Sequence, residues 1–159
     1  MKEIGYQREA VLEYAKRWAK GRNPRYLDFE HMGGDCTNFA SQCIYAGSGV
    51  MNYTPTMGWY YSSGSNRSPS WTGVVYLYNF LTGNKSAGPY GETNEKGVEP
   101  GDIVQLGNKN GYYHSPVVVD VAGNNILVAA HSYDAYMRPL DSYIYEKVRF
   151  IHIQGVRNW

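Results

Sequence analysis

The stretch that most constrains the fold of this chain is GGDCTNFASQCIY, residues 33–45. Its two glycines allow a sharp turn, and the apolar residues that follow recur with a helical period, which predicts a helix that begins near Cys36. Backbone N–H groups at a helix N-terminus are unpaired and favour a negative charge, so a thiol placed there is expected to have a lowered pKa. We therefore predict that Cys36 is a nucleophile. The alternative is that Cys36 is only a small hydrophobic residue at a helix start. We interpret Cys43, in the middle of the predicted helix, as a small hydrophobic residue.

Length and charge narrow the classes of protein that this sequence can belong to. The 159 residues are enough for one domain with a core, and we expect a single domain over residues 1–159. The formal net charge is +1 without a basic run, so neither nucleic acid nor an anionic membrane is an expected partner. No apolar stretch reaches the length of a membrane span, and the N-terminal MKEIGYQRE lacks a signal-peptide core. Cys36 and Cys43 are about 10 Å apart along the predicted helix, so two free thiols are expected.

Hydrophobic periodicity predicts helices in the first part of the chain and strands in the second. Helices are predicted over 6–20, from 36 onward and over 71–83, with loops over 47–70 and 84–97. Strands are predicted over 103–106, 114–121, 126–131 and 149–156. This order predicts an α+β fold in which N-terminal helices pack on an antiparallel sheet.

The long loop over 47–70 is rich in glycine, serine, asparagine and aromatic residues. Long loops in compact domains are usually functional or mobile. We predict that Trp59 and Tyr60 form one wall of a cleft for a sugar or a peptide. The alternative is that the aromatic residues only anchor the loop to the core.

A nucleophilic thiol needs a base, and the predicted hairpin around Gly123 and Asn124 offers a candidate. Three valines of the first strand would face three apolar residues of the second, in the pairs Val117–Ala130, Val119–Val128 and Val121–Ile126. The same register places His131 opposite Pro116, with His114 as its diagonal neighbour about 7–8 Å away.

We predict that His114 is the general base and that His131 orients it, in the manner of a catalytic triad. Asp120 and Asp134 are alternative orienting residues. His31 is closer to the cysteine in sequence, but the glycine turn between them leaves its direction open. Metal ligands and other cofactors are not expected, because the sequence lacks the closely spaced ligand pairs of zinc sites.

Five stretches of the chain resemble the Putative amidase domain family, which is grouped with the papain-like cell-wall hydrolases: GGDCTNFASQCIYAG, YAKRWAKGRNPRY, GDIVQL, YYHSPVVVD and VAAHSYDAYMRPL. The resemblance implies a papain-like fold with a partial barrel. It matches Cys36 to the nucleophile, His114 to the base and His131 to the third catalytic position. Asp35 matches a residue beside the nucleophile that often shapes the substrate pocket.

The function implied by this resemblance is cleavage of an amide bond in bacterial peptidoglycan through a thioester acyl-enzyme. The expected substrate is a cell-wall peptide or glycopeptide, and the expected location is extracellular or associated with the cell wall. A papain-like protein deamidase or transamidase is one alternative. A non-catalytic module that binds the cell wall or a glycan is another, which the presence of Cys36, His114 and His131 together disfavours.

Overall fold

The structure is a computed structural model that describes residues 1–95 and 97–159. Its helices are α1 Arg8–Trp18, α2 Cys36–Ser48, α3 Pro69–Thr72 and α4 Val74–Gly83. Its strands are β1 Lys2–Ile4, β2 Tyr61–Ser63, β3 Asn66–Arg67, β4 Gly88–Thr93, β5 Ile103–Asn108, β6 Gly111–His114, β7 Val117–Ala122, β8 Asn125–Ala130, β9 Ala135–Pro139 and β10 Lys147–Asn158. The α+β class predicted from the sequence is confirmed.

The main sheet is antiparallel and curls into a half-barrel. Its strand order is β1-β10-β5-β7-β8-β9, with β4 also paired to β10 and β6 also paired to β5. The twelve-residue β10 pairs with β5 along its first half and with β4 along its second. A separate small hairpin, β2–β3, lies within the region predicted as the 47–70 loop.

Helix α2 is the centre of the core, since eleven of its thirteen residues are buried. The main core cluster joins α1, α2 and α4 to one face of the sheet and includes Phe39 and Val117. A smaller cluster around Val104 and Val118 covers the other face. The sheet therefore buries apolar residues on both sides near its centre, and simple alternation does not describe its strands.

Helix α1 is fastened to the sheet by the guanidinium of Arg8. This group donates a 2.8 Å hydrogen bond to Asp102, which is fully buried, and a 2.6 Å bond to the carbonyl of Ile153 on β10. The second carboxylate oxygen of Asp102 lies 2.9 Å from Nδ1 of His152. A charge buried with several partners fixes the position of the helix against the sheet.

The predicted loop over 84–97 is wrong in its middle part, because Gly88–Thr93 forms β4 and pairs with β10. The segment GPYGET has no alternating pattern that could reveal a strand. Gly91 permits a close backbone approach, since a Cβ there would lie 2.3 Å from the carbonyl oxygen of His152. Residue 96 of the predicted loop lies outside the described residues.

The predicted strand over 114–121 is broken, because Ser115 and Pro116 separate β6 from β7. Proline has no N–H to donate to a sheet ladder, which accounts for the break. His114 consequently ends β6, where it pairs with Leu106 of β5. The predicted pairing of Pro116 with His131 does not occur, since β8 ends at Ala130.

The predicted hairpin register is right beside the turn and wrong beyond it. Val121 pairs with Ile126 as predicted, but the ladder shifts between Val118 and Asp120. Val119 forms the bulge, and Val117 then pairs with Ala129, not with Ala130. The register that was expected to bring His114 and His131 together is therefore not the one that forms.

In the described part of the chain, no helix combines the length and the apolar character needed to cross a membrane.

Candidate active site

Cys36 is the first residue of α2, as the sequence predicted. Gly33 and Gly34 have φ values of 99° and 104°, which is a region that favours glycine, and they form the sharp turn before the helix. The Cys36 side chain is 8 % exposed, with Sγ 3.7 Å from the hydroxyl of Thr37 and 3.9 Å from the carbonyl oxygen of Tyr113. The thiol therefore lies between the helix start and the end of β6.

Burial raises the pKa of the Cys36 thiol above its ordinary value. The hydroxyl and N–H of Thr37 and the N–H of Ser115 act in the opposite direction, but they do not outweigh the loss of water around the sulfur. The expectation of a lowered pKa is thus wrong for the free protein, because it counted the helix N-terminus and not the burial.

His114 is 8 % exposed and lines the same cleft as Cys36. Burial, with a smaller contribution from the positive charge of Arg138, lowers the pKa of His114 to about 4. The imidazole is therefore neutral at pH 7, which is the state that can accept a proton. Cys36 and His114 thus form a neutral thiol and a neutral base in one cleft of about 530 Å³.

His131 does not orient His114 in this structure. Its Nδ1 lies 2.5 Å from Oδ2 of Asp35, and its Nε2 lies 2.8 Å from the carbonyl oxygen of Trp18. The guanidinium of Arg22 is also 3.3 Å from Nε2. Both ring nitrogens are therefore engaged away from His114, and His131 instead binds Asp35, the residue immediately before Cys36.

The two alternative orienting residues are engaged elsewhere as well. Asp134 binds the guanidinium of Arg22 through both carboxylate oxygens, and Asp120 accepts a hydrogen bond from the N–H of Val121. Among residues 1–95 and 97–159, no group hydrogen-bonds to the imidazole of His114. That imidazole packs against the ring of Tyr143, with ring centroids 5.5 Å apart.

Asp35 was predicted to shape the substrate pocket, and this prediction is wrong because the residue is fully buried. Its Oδ1 accepts hydrogen bonds from the N–H of Phe29 and the side-chain amide of Asn38, both 2.8 Å long. Its own N–H donates to the hydroxyl of Ser132. With His131 on its other oxygen, the carboxylate has internal partners on both sides and fastens the turn that carries Cys36.

Trp59 and Tyr60 do not form a wall of this cleft. Trp59 is fully buried, packs against Trp71 with ring centroids 4.7 Å apart, and donates a hydrogen bond to the hydroxyl of Ser41. Tyr60 is half-buried with its ring 5.8 Å from that of Tyr53. The alternative, a loop anchored by its own aromatic residues, describes Trp59 correctly.

The side chains that do line the cleft come mainly from the segment after β8. The other lining residues belong to the glycine turn, the start of α2, β5 and β6. The full lining is Gly33, Gly34, Cys36, Leu106, Tyr113, His114, Ser132, Tyr133, Arg138, Tyr143 and Ile144. Sequence reasoning did not find Tyr133, Arg138 or Tyr143. The stretch VAAHSYDAYMRPL carries two of them, but only the path of the chain brings it beside Cys36.

The turn at Ser132 and Tyr133 has an unusual backbone. Both residues have left-handed φ values, 58° and 61°, which cost free energy for residues with a side chain. The Ser132 hydroxyl accepts from the N–H of Asp35 and donates to Glu30, each over 3.1 Å. These bonds hold the turn against the start of α2 and place Tyr133, which is 90 % exposed, at the cleft mouth.

In the part of the chain that the structure describes, no three histidine, cysteine, aspartate or glutamate side chains are grouped to hold a metal ion. The acidic residues that do cluster, Asp28, Glu30, Asp35 and Asp134, surround the guanidinium of Arg22. That position is therefore already filled by a cation of the chain itself.

Fold and site together define an α+β protein in which a thiol at a helix start and a buried imidazole share one cleft. Residues 5–154 match the family model described as Putative amidase domain, and the chain belongs to that family. The family description indicates amide hydrolysis as the class of activity. The chain is also similar to the uncharacterized protein YhbB of Bacillus subtilis (strain 168), with 34 % identity over 140 residues. This alignment covers 84 % of the chain but only 43 % of the relative. No solved structure matches the chain.

Proposed function

We propose that this domain hydrolyses an amide bond through a thioester acyl-enzyme, with Cys36 as the nucleophile and His114 as the general base. The observation that carries the proposal is that these two side chains, from α2 and β6, line the same cleft. Membership in the Putative amidase domain family supports the reaction class. The papain-like relationship is part of the same proposal.

The protonation states set the order of the proton transfers. The free site holds a thiol and a neutral imidazole, so the Cys36 proton passes to His114 as the sulfur attacks the amide carbonyl. The N–H of Cys36 has no acceptor within its own helix and is available to the oxyanion. The imidazolium then gives its proton to the leaving nitrogen, and the amine departs.

The second half of the reaction uses the same base. A water molecule attacks the thioester carbonyl while His114 takes one of its protons. The carbon–sulfur bond breaks, the carboxylic acid is released, and the proton on His114 returns to the sulfur of Cys36. No oxidant, reductant or metal enters this cycle.

The substrate that we propose is a peptide amide of bacterial cell-wall peptidoglycan, which would be met outside the cytoplasm. The support is the resemblance to cell-wall hydrolases, together with a cleft lined by tyrosines and one arginine, which suits a polar peptide. The chain spans less than half of its Bacillus relative, so the substrate of a longer protein is part of this proposal.

The first test is alkylation of the folded protein with iodoacetamide between pH 5 and pH 10, with the modified cysteine identified by peptide mapping. We expect Cys36 to react and the fully buried Cys43 to be protected. His114→Gln should slow the reaction of Cys36 at pH 7 about tenfold or more, because the base is lost. The exposed His31 provides the matched control, and His31→Gln should leave the rate unchanged.

The second test is amine release from purified peptidoglycan fragments. Cys36→Ala and His114→Gln should each abolish it, and His31→Gln should retain it. If the Cys36 thiol does not react, the proposed thioester mechanism is wrong. If the thiol reacts but no cell-wall fragment releases an amine, only the proposed substrate is wrong.

A further inference from the structure

The lining of the catalytic cleft contains one permanently charged group, the guanidinium of Arg138. Its hydrogen bonds go to the hydroxyl and carbonyl of Ser142, 2.7 and 3.2 Å away. The central carbon of the guanidinium, Cζ, lies over the ring of Tyr143, 3.7 Å from the ring centroid. This ring in turn packs 5.5 Å from the ring of His114, so the cation is next to the reacting groups.

Arg138 differs from three of the arginines that bridge elements of this fold, whereas Arg149 resembles it, because it binds Gln105 and forms no ion pair in the described part of the chain. Arg8, Arg22 and Arg157 each form an ion pair with a carboxylate. Among residues 1–95 and 97–159, no carboxylate lies within ion-pair distance of Arg138.

Neither the acidic partner of Ser132 nor the acidic neighbour of Ser142 neutralises Arg138. Glu30 accepts a hydrogen bond from Ser132 and lies 3.6 Å from Arg22. Asp141 neighbours Ser142 in sequence but forms no ion pair with Arg138. At neutral pH His114 is uncharged, so Arg138 supplies the one positive charge of the cleft lining.

From this arrangement we infer that Arg138 binds a carboxylate of the substrate beside the scissile amide, so that acidic peptides are the preferred substrate class. Two of the guanidinium's three nitrogens bond to Ser142, and Nη1 remains available to an anion. The stacked Tyr143 ring fixes the plane of the guanidinium, which lowers the entropy lost on binding. The inference rests on the proposed function and names the substrate feature that its cleft selects.

A pair of alkylating reagents tests this directly. Iodoacetate and iodoacetamide react with the same thiolate, but only iodoacetate carries a carboxylate. The ratio of their rates at Cys36 therefore cancels any change in the thiol's pKa. We expect Arg138→Gln to lower the iodoacetate-to-iodoacetamide ratio about fivefold, as for one partly screened charge. Arg138→Lys should retain most of the ratio.

Arg17 on α1 is exposed and outside the cleft lining, so Arg17→Gln is the control for the change in net charge. It should leave the ratio unchanged. An equal ratio in the wild type and in Arg138→Gln would overturn the inference while leaving Cys36 as a nucleophile.

A second measurement does not need a reactive thiol. The Cys36→Ala protein is titrated with N-acetylalanine and with N-acetylalaninamide, which differ only in the carboxylate, and binding is followed by NMR. We expect tighter binding of N-acetylalanine, and the difference should disappear when Arg138→Gln is added. If Cys36 reacts with neither alkylating reagent, the proposed function fails, and this titration still decides the role of Arg138. Equal affinity for the two compounds would overturn that role.

Discussion

The imidazole of His131 and the carboxylate of Asp35 are joined over 2.5 Å, and each side chain is only about 1 % exposed. This contact links the end of β8 to the residue that immediately precedes Cys36. The sequence analysis predicted separate roles for them: His131 would orient the base, and Asp35 would shape the substrate pocket. In the structure they share one task, which is to hold the turn that presents Cys36.

The first prediction concerns the stability that this contact supplies. Asp35→Ala should lower the free energy of unfolding by about 3–5 kcal/mol, because it leaves His131, the N–H of Phe29 and the Asn38 amide without their buried partner. Urea denaturation at pH 7 measures the change.

Asp134→Ala is the matched control, since it removes a carboxylate from the same cluster at a position where the side chain is 30 % exposed. It should cost about 1 kcal/mol or less. Similar losses for the two variants would contradict the structural role assigned to Asp35.

The second prediction separates positioning from catalysis at His131. His131→Asn should lower the stability and slow alkylation of Cys36, because the turn before the nucleophile loosens. The fall of the alkylation rate at acidic pH should nevertheless occur at the same pH as in the wild type, since this fall reports protonation of His114. A shift of this fall by about one pH unit or more would instead make His131 the orienting residue of a triad.

The third prediction follows from the pKa of His114, which is about 4 in the folded protein. An unfolded chain has an ordinary histidine pKa near ~6.5 and therefore binds more protons between these two values. Stability attributable to His114 is fully present above pH ~6.5 and is lost as the pH falls toward about 4. The loss amounts to about 3 kcal/mol at roughly 1.4 kcal/mol per pKa unit.

Denaturation curves for the wild type and His114→Gln at pH 7 and pH 4 measure the contribution of His114 to the free energy of unfolding. The carboxylates contribute equally to both proteins, so the difference between them isolates His114. The wild type should lose about 3 kcal/mol more than the variant on acidification. Parallel losses in the two proteins would show that His114 keeps an ordinary pKa in the fold.

The fourth prediction contrasts two aromatic residues. Trp59→Ala should lower the free energy of unfolding by about 3–5 kcal/mol, because it opens a cavity beside Trp71 in the core. Tyr133→Ala, at the cleft mouth, should change stability by about 0.5 kcal/mol or less. Thermal or urea denaturation compares them, and a large effect at Tyr133 with a small one at Trp59 would reverse their assigned places.

Local signals predicted the parts of the fold that depend on local structure. The glycine turn and the apolar period placed the start of α2 at Cys36, and the Gly123 turn placed the hairpin of β7 and β8. The third helix was predicted as one segment over 71–83, but Gly73, with an extended backbone, divides it into α3 and α4.

What the sequence did not reveal depends on contacts between distant residues. Strands β1 and β4 exist because β10 pairs with them, and neither has a clear alternating pattern of its own. The bulge at Val119 shifts the register by one residue, which no pattern of apolar residues could indicate while both faces of the sheet are buried.

In the candidate site, too, some features were visible in the local sequence and others depend on contacts between distant residues. Cys36 and His114 were selected from residue type and spacing, and the structure places both side chains in one cleft. The roles of Asp35 and Arg138 follow from partners that lie far away in the chain or in the fold, and the sequence alone could not supply them.

The separation of Asp35 and His131 by 96 positions also has a consequence for biosynthesis. A ribosome releases the N-terminal segment first, so Cys36 emerges well before the strands that cover it in the finished protein. Contacts between such distant segments close late, because the chain between them must first be ordered. During that interval the sulfur is open to solvent and to oxidants, and the growing chain is without its completed cleft. The cleft that Cys36 and His114 line is therefore complete only once the chain has been made as far as Ile144.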